Sequence, residues 1–366
     1  MKIAMITDHL RGGGKERRMI ELMKYLTEQQ SSYEFLIIMM DGKDEDDIAY
    51  KYILDCHIPI IYLGGMPRIS QMKKMYSICK KESIDLIHFW APVIYGYFLT
   101  PIRCLLPVPI ISSSITSARK QGGNKFWLCK PSYLLFDKIL SNSYQALKIN
   151  EVPKKKAICI YNGFDPSRSV IKTPAEEIRK RYNIQTRYIV SMAGEYSFRK
   201  DYPLFVRAAS KVLEQQLDVT FIAMGSGDST PYKTLVPNQH KDRIRFVGRI
   251  TDVESVYNAS DVVVLATTVE GVSNAIMEGM ALGKPIVSTK GPFVGTKEVV
   301  EEGQSGFLTE YHDDKSFAEY ILQLLADSDL RRKMGERGKQ IVKEKFDIQQ
   351  MINGFAEVYN HYRKLA

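Results

Sequence analysis

Several familiar signals are scarce or missing in this chain of 366 residues, and each absence removes a class of function. No run of about 18 apolar residues occurs, so no membrane-spanning helix is expected. The five cysteines, Cys56, Cys79, Cys104, Cys129 and Cys159, are scattered and never at C-x-x-C spacing. That pattern argues against a disulfide scaffold or a structural zinc and for a reducing compartment. Met1-Lys2 leads directly into an apolar strand rather than a signal peptide, so a cytoplasmic protein is expected. Counting from Gly12, the sixth position is Arg17, and the dinucleotide pattern G-x-G-x-x-G fails. The P-loop pattern fails as well, because Lys15 is followed by Glu16 and His9 stands where the leading glycine belongs. Asp44, Asp46 and Asp47 lack the spacing and glycine of a calcium loop and read as a solvated turn. No metal is expected. Zinc-finger and RNA-binding motifs are also missing, so nucleic acid is not an expected partner.

What is present is an apolar fraction of 45%, in a chain long enough for two α/β domains. Apolar, β-branched runs at 3–7, 34–40, 58–63, 85–90, 109–113, 138–143 and 157–161 alternate with helical segments such as 70–81. A second series follows at 187–193, 219–224, 244–248, 262–268 and 285–289. Alternation at this interval predicts doubly wound parallel sheets. The net charge of +9 is uneven, about +7 of it within residues 1–165. A basic first half suits an anionic partner, and it is also common among soluble proteins. Between Tyr95 and Phe136, aromatics including Tyr97, Phe98, Phe126, Trp127 and Tyr133 interleave with Arg103, Arg119, Lys120, Lys125 and Lys130. Two readings fit: peripheral contact with an anionic membrane, or core aromatics beside surface charges.

The stretch DVVVLATTVEGVSNAIMEGMALGKPIVST, residues 261–289, carries the most chemistry. A buried strand at 262–268 runs through Glu270 and Gly271 into a helix from Val272, which Gly283-Lys284-Pro285 ends before the next strand. The helix start leaves unpaired amides at Val272, Ser273 and Asn274, suited to a phosphate or diphosphate. Glu270 precedes that site and Glu278 follows it, about 10 Å apart at roughly 1.5 Å per helical residue. A nucleoside diphosphate sugar has this outline, with hydroxyls at both ends and phosphates between.

This stretch resembles the E-x7-E signature of the retaining glycosyltransferases with two facing Rossmann-like domains, the GT-B fold, family 4. In that family the first acid touches the donor sugar and the second holds the ribose hydroxyls, which implies those roles for Glu270 and Glu278. Gly13-Gly14-Lys15-Glu16-Arg17 resembles the family's GG-x-E-R entry, whose glycine amides reach the donor diphosphate from the opposite domain. Asn162-Gly163-Phe164-Asp165 resembles its interdomain turn, and Val299–Leu308 resembles its closing strand and turn. After strand 187–193 the family presents an arginine and a lysine to the leaving diphosphate. Lys200 matches the lysine, whereas Glu195 or Ser197 falls at the arginine position, so Arg199 would have to substitute. Arg249 and Ile250 match positions whose backbone reads the base. The family's histidine after the fifth strand has no counterpart, since Ile115 or Thr116 occupies its place, and Ser113, Ser114 and Thr116 are only polar candidates. His88, at a strand end, reads as a structural histidine or a ligand.

The resemblance implies two domains, at 1–168 with about 349–366 and at 183–348, with the C-terminal helix crossing back onto the first. It implies transfer of a sugar, most simply from a UDP-sugar, to a hydroxyl of a glycan or lipid-linked acceptor in cell-surface polysaccharide synthesis. No cofactor or metal is needed, because side-chain cations and helix amides face the diphosphate. Two other readings remain: a nucleotide-sugar epimerase or phosphorylase-like enzyme of the same fold, and a non-catalytic sugar-nucleotide-binding protein.

Overall fold

A computed structural model describes every residue except 12, 30–31, 45–56, 121–122, 124–125 and 364–366. Gly12, Asp46, Asp47, Cys56 and Lys125 therefore lie outside the described residues. The chain divides into two compact units, Met1–Gly163 with Gln349–Ala366, and Phe164–Ile348. The division falls a few residues before position 168, because the Phe164 amide bonds the Phe346 carbonyl at 2.6 Å and ties the segment after Gly163 to the second unit.

The first unit is built on seven parallel strands: β1 (Lys2–Thr7), β2 (Glu34–Met39), β3 (Ile60–Tyr62), β4 (Leu86–Phe89), β5 (Ile110–Ile115), β6 (Lys138–Ser141) and β7 (Ala157–Cys159). Their order is β3-β2-β1-β4-β5-β6-β7. Ile3 pairs with Phe35 on one side of β1 and with Leu86 on the other. Nearly every side chain of β1, β2 and β4 is buried, as expected for parallel strands covered on both faces. Helix α1 (Gly14–Gln29) follows β1 and buries Met19, Ile20, Leu22, Met23 and Leu26.

The second unit has six parallel strands, β8 (Tyr188–Ala193), β9 (Val219–Met224), β10 (Ile244–Gly248), β11 (Val262–Leu265), β12 (Ile286–Thr289) and β13 (Gly306–Thr309), ordered β10-β9-β8-β11-β12-β13. Helix α2 (Tyr202–Leu213) follows β8 and α3 (Asn274–Ala281) follows β11. Side chains of Asp201, Asp252, Asp313 and Asp327 cap helices by accepting from the amides of Leu204, Ser255, Ser316 and Leu330, which satisfies donors that helix starts leave open. Strand β11 stops at Leu265 rather than running to Thr268, because Thr267 bridges to Lys200 instead of continuing the ladder. The strand expected within 299–308 occupies only Gly306–Thr309.

The last helix, α4 (Ile348–Arg363), returns to the first unit and completes its core. Its Phe355 and Tyr359 are fully buried. Arg18 of α1 is buried too, with its guanidinium 4.8 Å from the Phe355 ring centre and 5.9 Å from that of Trp90. It donates to the Ile160 carbonyl. Burial lowers its pKa to about 10. His88 is a structural histidine: Nδ1 lies 2.6 Å from the Tyr359 hydroxyl and Nε2 2.7 Å from Ser113 Oγ. A neutral ring offers one donor and one acceptor, which matches two hydroxyls in either tautomer. Protonation would make both nitrogens donors inside a desolvated site. Burial first, and the Arg18 charge second, hold the His88 pKa well below its ordinary value of 6.5.

A folded His88 is therefore neutral where an unfolded one binds a proton, so the unfolded state takes up more protons as pH falls. Its stabilisation is complete above about pH 6.5 and declines below it, by up to about 1.4 kcal/mol per pH unit, toward the depressed folded value. Denaturant unfolding at pH 7.5 and about pH 5.5 should show this loss in the wild type, and a smaller one in His88→Gln. Equal acid sensitivity in the two proteins would contradict it.

Candidate active site in the second unit

In each sheet the connections run outward in both directions from one pair of adjacent strands, β1 and β4 in the first unit and β8 and β11 in the second. Ligands in open parallel sheets gather outside the carboxyl ends of such a pair. Lys200 follows β8 and Glu270 follows β11, so two of the expected site residues flank the same switch point. Gly13 and Gly14 occupy the corresponding position after β1 in the first unit, with Gly14 opening α1.

The two loops of the second unit are fastened together. Lys200 bridges to Thr267, the Asp201 amide donates to the Ala266 carbonyl at 3.0 Å, and the Thr268 amide donates to the Arg199 carbonyl at 2.9 Å. The Lys200 ammonium then donates to the Glu270 carboxylate. Gly194 permits this course, since a Cβ there would lie 3.1–3.3 Å from the Lys200 stem. On the far side, Glu270 exchanges backbone bonds with the 293–295 loop, its amide donating to the Phe293 carbonyl and its carbonyl accepting from the Gly295 amide, both at 3.0 Å.

Tyr311 and His312, just past β13, hold both loops. The Tyr311 hydroxyl donates to the Thr268 carbonyl at 2.9 Å and accepts from the Phe293 amide at 3.2 Å. A Cβ on Gly291 would come within 2.5–2.6 Å of Tyr311 ring and hydroxyl atoms, so only glycine leaves room for the ring. His312 Nδ1 lies 2.6 Å from Asp201 Oδ2. Sequence reading passed over both residues, and no local pattern marks a hydroxyl that bonds backbone more than 40 residues away.

The remaining expected residues divide. Helix α3 begins at Asn274 with Ser273 as its N-cap, so Ser273 and Asn274 belong to the open first turn, whereas Gly271 and Val272 precede it. Glu278, buried on α3, accepts a charge-assisted bond from Arg168. The Arg168 guanidinium also lies 5.0 Å from the Phe164 ring centre. Arg168 ends the segment expected as the first domain, and its partner is 110 positions away. Arg249 and Ile250 follow β10 at the carboxyl edge of the same sheet, after Gly248 with φ +75°. Tyr196 steadies that turn by donating to the Ala223 carbonyl at 2.9 Å and accepting from the Gly248 amide at 3.2 Å. Arg199 does not join Lys200: its side chain is half exposed and pairs with Glu195 at 2.6 Å. The expectation that Arg199 replaces the family arginine is thus met by a competing carboxylate four residues earlier.

In the first unit, Ser113 bonds His88, and Ser112 Oγ lies 2.9 Å from Ser114 Oγ, so these buried serines serve the sheet interior. Asp8, His9 and Glu16 bring their donor atoms within 4.8 Å of one another. The Lys15 ammonium, 2.5 Å from Asp8 and 3.1 Å from Glu16, supplies the positive charge there.

Residues 187–327 match the family described as Glycosyl transferases group 1. Among curated proteins, the chain is 29% identical to N-acetyl-alpha-D-glucosaminyl L-malate synthase of Bacillus anthracis over 210 residues, 57% of this chain and 54% of the relative. It is 26% identical to an uncharacterised glycosyltransferase of Methanocaldococcus jannaschii over 351 residues, 91% of this chain and 92% of the relative. The chain thus spans about half the length of the first relative and most of the second. Among solved structures, a glycosyltransferase from Rickettsia africae superposes with a TM-score of 0.83 at 20% identity, covering 100% of this chain and 99% of that one. Anabaena HepE, solved in complex with UDP-glucose, gives 0.82 at 20% identity, covering 99% and 100%. Two doubly wound parallel sheets and a returning C-terminal helix are the GT-B architecture of these solved structures, and residues 187–327 carry the likeness to the glycosyl transferases of group 1.

Proposed function

We propose that the protein transfers a hexosyl unit from a UDP-sugar to a hydroxyl of a glycan or lipid-linked acceptor, with retention at the anomeric carbon, in polysaccharide or glycoconjugate assembly. The observation that carries this reading is the Lys200–Glu270 pair, held on two mutually bridged loops at the switch point of the second sheet. In the proposed reaction the UDP-sugar seats its diphosphate against Lys200 and the first-turn amides of α3, at Ser273 and Asn274. Lys200 neutralises charge that builds on the diphosphate as the glycosidic bond breaks, an interaction stronger in the transition state than in the ground state. Glu270 fixes the sugar and faces the positive charge developing at its anomeric carbon. It is assigned no covalent role: the acceptor hydroxyl attacks from the leaving-group side and its proton passes to the departing phosphate. Glu278, set by Arg168, holds the ribose, and the backbone at Arg249 and Ile250 meets the base. Cations of the chain itself do the neutralising, so transfer should survive chelation of divalent metals. The proposed setting is cytoplasmic, and a lipid-linked acceptor would make the enzyme a peripheral protein on the inner face of the membrane.

UDP-glucose and a panel of other nucleotide sugars, incubated with and without oligosaccharide or lipid-linked acceptors in EDTA, test the proposal by product analysis. Replacing Lys200 by Ala should lower kcat by about 10²–10³-fold. Glu270→Gln should do likewise with UDP affinity retained. Sugar released or isomerised equally well without acceptor would overturn transfer in favour of lyase or epimerase chemistry.

Tyr311 is proposed as a positioning residue that acts through the Glu270 loop. Tyr311→Phe removes one hydroxyl that serves two backbone groups, a loss on the order of 1 kcal/mol. The expected outcome is a kcat about fivefold lower with KM for the UDP-sugar nearly unchanged. A rise in KM at constant kcat would show that the hydroxyl supports binding alone.

A further inference from the structure

One surface of the first unit is not explained by its own fold. Among the described residues 14 large apolar side chains are exposed, and six of them, Ile94, Tyr97, Leu105, Trp127, Leu128 and Leu134, fall within positions 94–134. Single exposed apolar residues are ordinary; a cluster calls for a partner. Trp127, Leu134 and Leu105 are 70%, 76% and 64% exposed, among the highest values for apolar side chains in the protein.

These residues belong to short helices packed as one block. Ile94 and Tyr97 are three apart in the 3-10 helix Val93–Leu99, and at three residues per turn they share a face. The chain continues directly into the helix Thr100–Leu105. The Tyr97 hydroxyl donates to the Leu128 carbonyl at 2.6 Å, and Ser132 Oγ donates to the Val93 carbonyl at 3.2 Å. This joins the first helix to the turns Phe126–Cys129 and Lys130–Leu135.

Charge identifies the partner. Between Asp85 and Asp137 the sequence holds no acidic residue, whereas Arg103, Arg119, Lys120, Lys125 and Lys130 are all basic. Lys120 and Lys130 reach Glu151 at 3.1 and 2.5 Å, and Arg103 reaches Asp137 at 2.9 Å. These are solvent-exposed pairs of little worth, which an anionic surface can replace. Tryptophan and tyrosine between leucines and surrounding cations form the composition that seats at lipid headgroup level. A second copy of the chain would set the same positive field against itself.

We propose that the face built from Val93–Leu99, Thr100–Leu105, Phe126–Cys129 and Lys130–Leu135 docks on an anionic lipid bilayer, with Trp127 and Leu134 entering the interfacial layer and Arg103, Lys120 and Lys130 meeting lipid phosphates. This deepens the reading of a lipid-linked acceptor and rests on it only for its purpose, since docking does not require the transfer chemistry.

The chain has two tryptophans, and Trp90 is fully buried, so a change in emission on adding vesicles reports Trp127. The full chain is titrated with vesicles of phosphatidylcholine alone and of phosphatidylcholine with phosphatidylglycerol, and followed by emission and co-sedimentation. A blue shift and sedimentation with the anionic vesicles only, weakening as salt rises, is the expected result. The exposed double variant Trp127→Ser, Leu134→Ser should unfold at the wild-type temperature, bind UDP as before and bind vesicles at least about tenfold more weakly. Equal vesicle binding by the variant, or no preference for anionic lipid, would overturn the proposal. Wild-type dimerisation that the double substitution abolishes, without vesicle binding, would give the face to a second copy and also overturn it. Loss of UDP binding by the wild type would count against the transfer reading alone.

Discussion

Parallel strands cannot be joined by a tight turn; each needs a crossover, and every strand in the sheet then ends at the same edge. That constraint organises the molecule. It brings the segments after β8, β9, β10 and β11 to one rim of the second sheet, although they are spread from position 194 to 273 along the chain. Lys200 and Glu270 become neighbours because β8 and β11 are neighbours. The loops that carry them are then stitched by backbone bonds rather than left to side-chain chance. A charge pair on such a support loses little conformational freedom on meeting a ligand, which is what preorganised electrostatic stabilisation requires.

The same rim shows a division of labour. Residues that would face a substrate sit on the two loops and at the start of α3, while Tyr311, His312, Tyr196 and Arg168 hold these segments from behind. The supports bond mostly to backbone groups or to a single carboxylate. Their identity is therefore set by reach and geometry rather than by the chemistry of the reaction.

Much of this architecture was legible in the sequence because buried parallel strands are continuous apolar runs and their spacing betrays the crossovers. The 13 strands among the described residues lie within or beside the segments that predicted them, with ends shortened where a side interaction took over, as at Thr267. Glu270, Glu278 and Lys200 were legible because they sit at fixed offsets from a strand end or a helix start. Arg199 stands apart from Lys200 because consecutive side chains diverge and Glu195 lies within reach. Arg168 and Tyr311 were missed because their partners are distant in the chain and no local periodicity records them. Helix α3 starts at Asn274, two residues after the expected Val272, with Ser273 in extended backbone as its N-cap.

The return of α4 to the first unit has a consequence for the order in which the protein can mature. The first sheet leaves the ribosome early, yet Phe355 and Tyr359, which cover Arg18 and His88, are made only after the whole second unit. Until then a buried guanidinium and a buried imidazole lack their aromatic and hydroxyl neighbours. The second unit, continuous in sequence, can close before the first is finished, so of the two units the one begun first is completed last.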